Sequence, residues 1–142
     1  MKKLLFVMTF AALLGMGGCA ENGGEKPAPL AIENALTAEE KAEGKFTPEI
    51  MWKMSRIGGQ TLSPNGEKLL YTITQYNLAE NRGITFLQLR DMATGQEVRL
   101  TDNASTNTAP QWLNDNTIAF MSNRTGAMQA WSMDVEGKNL RQ

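Results

Sequence analysis

Trp112-Leu113-Asn114-Asp115-Asn116-Thr117-Ile118-Ala119-Phe120-Met121-Ser122-Asn123-Arg124-Thr125-Gly126 is the stretch on which the fold turns. An aromatic residue, a polar turn, a short apolar run and a Ser-x-Arg-x-Gly break follow one another. Downstream come a strand pattern over 128–133, the turn Glu136-Gly137 and Leu140-Arg141-Gln142. The same order occurs earlier. Ser63-Pro64-Asn65-Gly66 reads as a turn with Pro at its second position. Residues 67–75 then alternate, with Leu69, Tyr71 and Ile73 on one face and Leu70, Thr72 and Thr74 on the other. A second strand is expected over 84–90, and Thr94-Gly95 turns into a third over 97–101. Tyr71 and Phe120 lie 49 residues apart, Leu87 and Trp131 44, and Gly95 and Gly137 42. A longer loop over 76–82 in the first copy accounts for the drift.

A unit of 42–49 residues holding three or four short strands predicts a β-propeller blade. Blades stack radially and bury both faces, which explains strands that are apolar on both. A sandwich of eight short strands gives no reason for two matching halves. The expected fold is therefore all-β: an incomplete propeller of about two blades, the first over 60–108 and the second, truncated, over 109–142. Propellers take roughly four to eight blades. An unclosed pair leaves apolar faces and strand edges without neighbours. The chain is accordingly expected to be the N-terminal piece of a longer protein, and to be aggregation-prone alone.

Working towards the N-terminus, Thr47-Pro48-Glu49 supplies an N-cap hydroxyl, Pro at N1 and an acid in the first turn. Ile50, Met54 and Ile57 then share a face, and Gly58-Gly59 ends a short amphipathic helix over 47–59 that is expected to pack on the next domain. Residues 19–46, with Gly23-Gly24, Pro27 and Pro29, read as a flexible tether. Within it, Thr37-Ala38-Glu39-Glu40 fits a capping box with Gly44 as a stop, and predicts a frayed helix.

Lys2 and Lys3 precede an apolar run over 4–14, broken by Thr9. At about 1.5 Å per residue that run is far shorter than a bilayer core of about 30 Å, so residues 1–18 read as a signal peptide. Met16-Gly17-Gly18-Cys19 resembles a bacterial lipobox, which makes Cys19 the expected lipid-attachment residue. Several acyl chains hold a protein at the bilayer where one does not. The expected location is the bacterial cell envelope, as a membrane-anchored lipoprotein of the periplasm or outer membrane. Ordinary cleavage near Gly18-Cys19-Ala20 is the alternative, and gives a soluble secreted chain.

Composition removes whole classes of chemistry. The 142 residues include no His and one Cys. Without imidazole there is no Ser-His-Asp or Cys-His nucleophile, no His-ligated zinc and no His general base. A single Cys leaves no internal disulfide, iron–sulfur cluster or multi-cysteine metal site. With 14 Lys+Arg against 15 Asp+Glu and no basic run, binding to nucleic acid is not expected. No metal site and no cofactor are expected.

Residues 112–142 resemble the repeat of tricorn- and TolB-type propellers. Phe46-Thr47-Pro48-Glu49-Ile50, Met54-Ser55-Arg56-Ile57 and Leu62-Ser63-Pro64-Asn65-Gly66 resemble, more narrowly, the mature N-terminus of bacterial dipeptidyl peptidases of the dipeptidyl-peptidase-V type, in the prolyl oligopeptidase family. Ala109-Pro110-Gln111-Trp112 is similar to the same subfamily. The resemblance implies a serine exopeptidase whose N-terminal propeller covers a C-terminal α/β-hydrolase domain carrying Ser in G-x-S-x-G, then Asp, then His. It implies peptide substrates reached through that domain.

None of that machinery stands in these residues. No Gly-x-Ser occurs, so no catalytic residue is carried over and no substrate-binding residue is assigned. A non-enzymatic TolB-like propeller that binds protein partners in the cell envelope is the alternative. It expects an α/β domain ahead of the propeller, and residues 20–59 are short and polar. Arg124 reads better as a solvated turn residue than as a partner for a substrate carboxylate. Asn114-Asp115-Asn116 is one residue shorter than the usual Ser-Pro-Asp-Gly turn.

Overall fold

The computed structural model describes residues 35–142; the expected signal peptide, Cys19 and most of the expected tether lie outside the described residues. The described chain opens with two short helices. In α1 (Ala38–Glu43) the capping box is complete: the Thr37 hydroxyl accepts from the Glu40 N–H, and the Glu40 carboxylate accepts from the Thr37 N–H. Gly44 closes the helix in the left-handed conformation, φ 61°. α2 (Pro48–Lys53) starts as its sequence directs, with the Thr47 hydroxyl accepting from the Ile50 N–H. Lys53 Nζ then sits 2.7 and 2.8 Å from the two carboxylate oxygens of Glu40 and ties the helices together. The last part of the expected tether is thus capped helix joined to its neighbour.

The helix expected over 47–59 ends earlier. It stops at Lys53, Met54 is extended, and Arg56–Leu62 form β1, the first strand of a sheet. Pairing decides this, because β1 meets the ladder of β2 across Gly58, where the Thr72 hydroxyl donates to the Gly58 carbonyl at 2.6 Å. Of the expected Ile50, Met54 and Ile57 stripe, only Ile50 is buried. α2 is held through Trp52 instead, whose ring meets Tyr76 edge-on at 5.1 Å, with the Arg56 guanidinium 4.7 and 4.9 Å from the two rings.

Two antiparallel sheets follow, each laid down in chain order. The first is β1, β2 (Lys68–Asn77), β3 (Arg82–Asp91) and β4 (Glu97–Arg99); the second is β5 (Asn107–Asn114), β6 (Thr117–Thr125) and β7 (Ala127–Asp134). The sheets span 56–99 and 107–134, where the repeat placed its units at 60–108 and 109–142. Ser63-Pro64-Asn65-Gly66 turns as its residues require, with Gly66 N–H donating to the Ser63 carbonyl and φ 73° at Gly66. Asp115-Asn116 makes the shorter equivalent between β5 and β6, where Asn114 Oδ1 accepts from the Asn116 N–H.

Strand register sharpens the repeat. Tyr71 pairs with Gln88, and Phe120 with Trp131. With Tyr71 matched to Phe120, the counterpart of Trp131 is Gln88, not Leu87. Leu87 points the opposite way, to the sheet face where Leu70 and Leu89 lie. Six of the extra residues of the first copy lie between Tyr71 and Gln88, in and around the β2–β3 hairpin, since the offset falls there from 49 to 43.

The core is the joint between the sheets. Leu70, Leu87 and Leu89 of the first pack with Ile118, Phe120 and Met133 of the second, flanked by Leu100, Trp112, Trp131 and Val135. Each fully buried side chain of this size contributes about 1.5–3 kcal/mol. Polar bonds cross the same joint. Trp112 Nε1 donates to the Thr61 carbonyl at 3.1 Å, and the Asn65 N–H donates to Asp115 Oδ1 at 2.9 Å. Two glycines mark close approach: a Cβ built on Gly59, φ 50°, would stand 3.1 Å from Pro110 Cδ, and one on Gly137 3.3 Å from the Leu100 carbonyl oxygen. The far face of the first sheet also buries Tyr71, Ile84 and Phe86, with the Arg99 guanidinium 3.7 Å from the Phe86 ring centroid. Two twisted antiparallel sheets stacked face to face, without closure into a barrel, form an all-β partial propeller.

Candidate functional site

The largest concentration of buried polar chemistry lies between the sheets, where β6 brings Ser122 and Arg124 beside Asn107 of β5. Alternation along β6 explains the placement: Ile118, Phe120, Ser122 and Arg124 all face the first sheet. Ser122 and Asn107 are fully buried. Arg124 donates through Nε to Ser122 Oγ and through Nη2 to Asn107 Oδ1, each at 3.1 Å. Asn107 Nδ2 donates onward to the Ser105 carbonyl at 2.9 Å and to the Thr85 carbonyl of β3 at 3.3 Å. The network therefore runs from one sheet to the other.

The guanidinium lies 5.2 Å from the Phe120 ring and 5.0 Å from the Trp131 ring. Burial pulls Arg124 down from its ordinary range, and the Asp102 carboxylate pushes it back up. Arg99 is governed by the same two influences. Arginine keeps its charge through shifts of this kind. The expectation of a solvated turn residue thus fails at Arg124: the residue is part of strand β6, which extends to Thr125, and is half-buried against aromatic rings.

A cavity of about 460 Å³ opens beside this network, walled by Leu100, Asp102, Ser105, Arg124, Trp131 and Leu140. The buried Trp131 indole N–H has no acceptor among the described residues. Tryptophan N–H groups normally find a partner when buried. The cleft therefore offers a half-buried cation and an apolar wall. It can hold a carboxylate or a carbonyl. It holds no Ser-His pair, because the chain contains no histidine. No group of three metal-ligating side chains occurs among the described residues.

Cys19, the one site residue the sequence predicted, lies outside the described residues. Sequence reading missed Asn107 altogether, since an Asn before Thr-Ala-Pro reads as loop. The signal that could have found it is the Ser-x-Arg pattern: an arginine two residues beyond a buried serine on an alternating strand also faces inward and needs an acceptor.

Fold and cleft together define a pair of propeller blades joined by a polar network. No family model matches the chain. It is 32% identical over 107 residues to dipeptidyl-peptidase 5 of Porphyromonas endodontalis, covering 75% of this chain and 16% of that protein. It is 29% identical over 130 residues to dipeptidyl-peptidase 5 of Porphyromonas gingivalis, covering 91% of this chain and 17% of that protein. Among solved structures, AtxE2 isopeptidase in its apo form superposes with a TM-score of 0.56 at 14% identity, covering 68% of this chain and 19% of that one. A puromycin-hydrolyzing peptidase of Mycobacterium tuberculosis gives 0.50 at 17% identity, covering 61% and 14%. At such identities these two structures share the fold. The chain spans about a sixth of the length of the curated relatives it matches. It is a dipeptidyl-peptidase-5-like chain with propeller repeats.

Proposed function

We propose that this chain is the leader, tether and first two blades of an exported serine dipeptidyl peptidase that is anchored in the bacterial envelope through lipid on Cys19. Peptide hydrolysis in that protein belongs to an α/β-hydrolase domain outside these 142 residues. The blades would limit access to its active site and contribute contacts to the peptide. The observation that carries this reading is the extended similarity to two dipeptidyl-peptidase 5 proteins, which includes the helix as well as the repeats. Composition supports the division of labour, since a chain without histidine supplies no Ser-His-Asp triad.

The test is the coding sequence downstream of codon 142. A G-x-S-x-G motif within the next few hundred codons, followed by Asp and then His, is the expected result. The whole protein should then release dipeptides from the N-terminus of peptide substrates, and Ser→Ala in that motif should abolish the release. A stop codon with no such continuation would overturn the proposal.

A further inference from the structure

The turn between β1 and β2 carries a reactive pair. Asn65-Gly66 is one of two Asn-Gly dipeptides in the chain, the other being Asn22-Gly23. Glycine leaves its peptide nitrogen without side-chain cover, so that nitrogen can attack the amide carbon of the asparagine before it. Both residues are exposed to water, yet both reacting groups are held. The Gly66 N–H donates to the Ser63 carbonyl at 2.9 Å. Asn65 Oδ1 accepts from the Ser63 hydroxyl at 2.7 Å and from the Glu67 N–H at 3.1 Å, while Asn65 Nδ2 donates to Glu67 Oε2 at 2.9 Å. Ser63 is itself buried, and its hydroxyl accepts from the Lys68 N–H at 2.9 Å, which fastens the turn to β2. A further hold comes from the other sheet. The Asn65 N–H donates to Asp115 Oδ1, 50 positions along the chain, at 2.9 Å.

We propose that Asn65 is a deamidation site kept unreactive by the closed joint between the sheets, and that its modification is a one-way latch on that joint. When Asp115 lets go, the turn is free to leave this geometry. The Gly66 nitrogen then gives its proton to hydroxide and bonds to Asn65 Cγ. The Cγ–Nδ2 bond breaks, Nδ2 takes up a proton and leaves as ammonia, and a succinimide ring remains. Water opens the ring at either carbonyl, giving aspartate or isoaspartate. Neither product restores the closed turn. The Nδ2 donor to Glu67 is gone, and a new carboxylate stands beside Glu67 on the residue whose N–H meets Asp115. Like charges so placed repel. In isoaspartate the main chain also runs through the side-chain carbon, and the added methylene carries the Gly66 N–H off the Ser63 carbonyl. The facing turn of the second sheet, Asn114-Asp115-Asn116, has no glycine, so the reaction belongs to one side of the joint. The site does not depend on the peptidase reading.

The test follows both Asn-Gly pairs in the full chain, incubated at high dilution in mildly alkaline buffer, then digested with trypsin and read by mass spectrometry. Cutting after Arg56 and Lys68 releases peptide 57–68, which reports Asn65, and Asn22 is the reference for the same dipeptide. In buffer Asn65 should react about tenfold or more slowly than Asn22, because only the open fraction reacts. In urea above the unfolding midpoint the two rates should converge, and at intermediate urea the Asn65 rate should rise in step with tryptophan emission. Asp115→Ala should speed Asn65 about fivefold, the change in open population that one hydrogen bond brings, and leave Asn22 unaltered. Asn65→Asp, which installs one product outright, should lower the urea midpoint further than Asn65→Ser, which loses the amide without gaining charge. Asn65 reacting as fast as Asn22 in buffer, a rate indifferent to urea, or a folded Asp115→Ala chain with unaltered Asn65 chemistry would each overturn the proposal. So would an Asn65→Asp chain as stable as the unaltered one. The urea series involves no substitution, and it decides the matter where Asp115→Ala fails to fold.

Discussion

Asn107 is the residue whose removal should reveal how the sheets are joined. It is fully buried and makes three bonds: it accepts from the Arg124 guanidinium and donates to the carbonyls of Ser105 and Thr85. A bond to a charged group is worth about 1.5–3 kcal/mol and a neutral one about 1. Asn107→Ala should therefore cost about 4 kcal/mol, a loss large enough to be diagnostic. Arg124→Gln on its own should be costly too, because it takes the charged donor from both Asn107 and Ser122. Made together, the two changes should fall short of additivity by more than about 1 kcal/mol, since both break the same bond. Urea unfolding followed by tryptophan emission measures all three at a dilution that suppresses contact between chains. A cost below about 1 kcal/mol for Asn107→Ala, or simple additivity, would refute the claim that this network holds the joint.

The remaining contacts set further expectations. The Glu97 carboxyl is held below its ordinary range by Arg90 first and Tyr71 second, so its contribution to stability is lost as pH falls through the acid range. Burial first, and Glu97 second, raise Tyr71, whose contribution is present below about pH 10 and lost as pH rises beyond it. Tyr71→Phe should flatten the alkaline limb of a pH–stability curve; an unchanged limb would show that Tyr71 does not cause it. Gly59→Ala should cost more than Gly66→Ala, because both positions have positive φ but only the first meets neighbours within 4 Å. Equal melting temperatures for the two would contradict that contact. Cys19→Ala should move the protein from the membrane fraction to the soluble one, and unaltered fractionation would dismiss the lipid anchor. The isolated chain should associate as its concentration rises, and a monomer with a cooperative melt at all concentrations would count against exposed blade edges.

Periodicity made the sheets legible, since Leu69, Tyr71 and Ile73 alternate with Leu70, Thr72 and Thr74 in sequence as they do in space. The caps at Thr37 and Thr47 were equally plain, because each depends on groups within four residues. Where partners lie far off in the chain, reading failed. Ile57 fits a helical stripe by spacing, yet Gly58 pairs with Thr72 and draws Ile57 into β1. Leu87 matches Trp131 by count, and only hydrogen-bond register shows that Gln88 is its counterpart. Arg124 stands in a turn-like Asn-Arg-Thr-Gly string, and its true setting depends on Asn107, 17 positions earlier. Local rules see caps and faces; they do not see which strand will lie alongside.

Two absent side chains govern the angle between the sheets. Near the inner strands Gly59 lets Pro110 approach, and towards the outer strands Gly137 lets the Leu100 carbonyl approach. A hinge pinned at both ends by bare backbone has no slack to share out. If further wedges of this kind continue around a hub, the tilt set here is the pitch they inherit, and a single methyl group at either pin would be multiplied around the wheel until its last gap failed to meet.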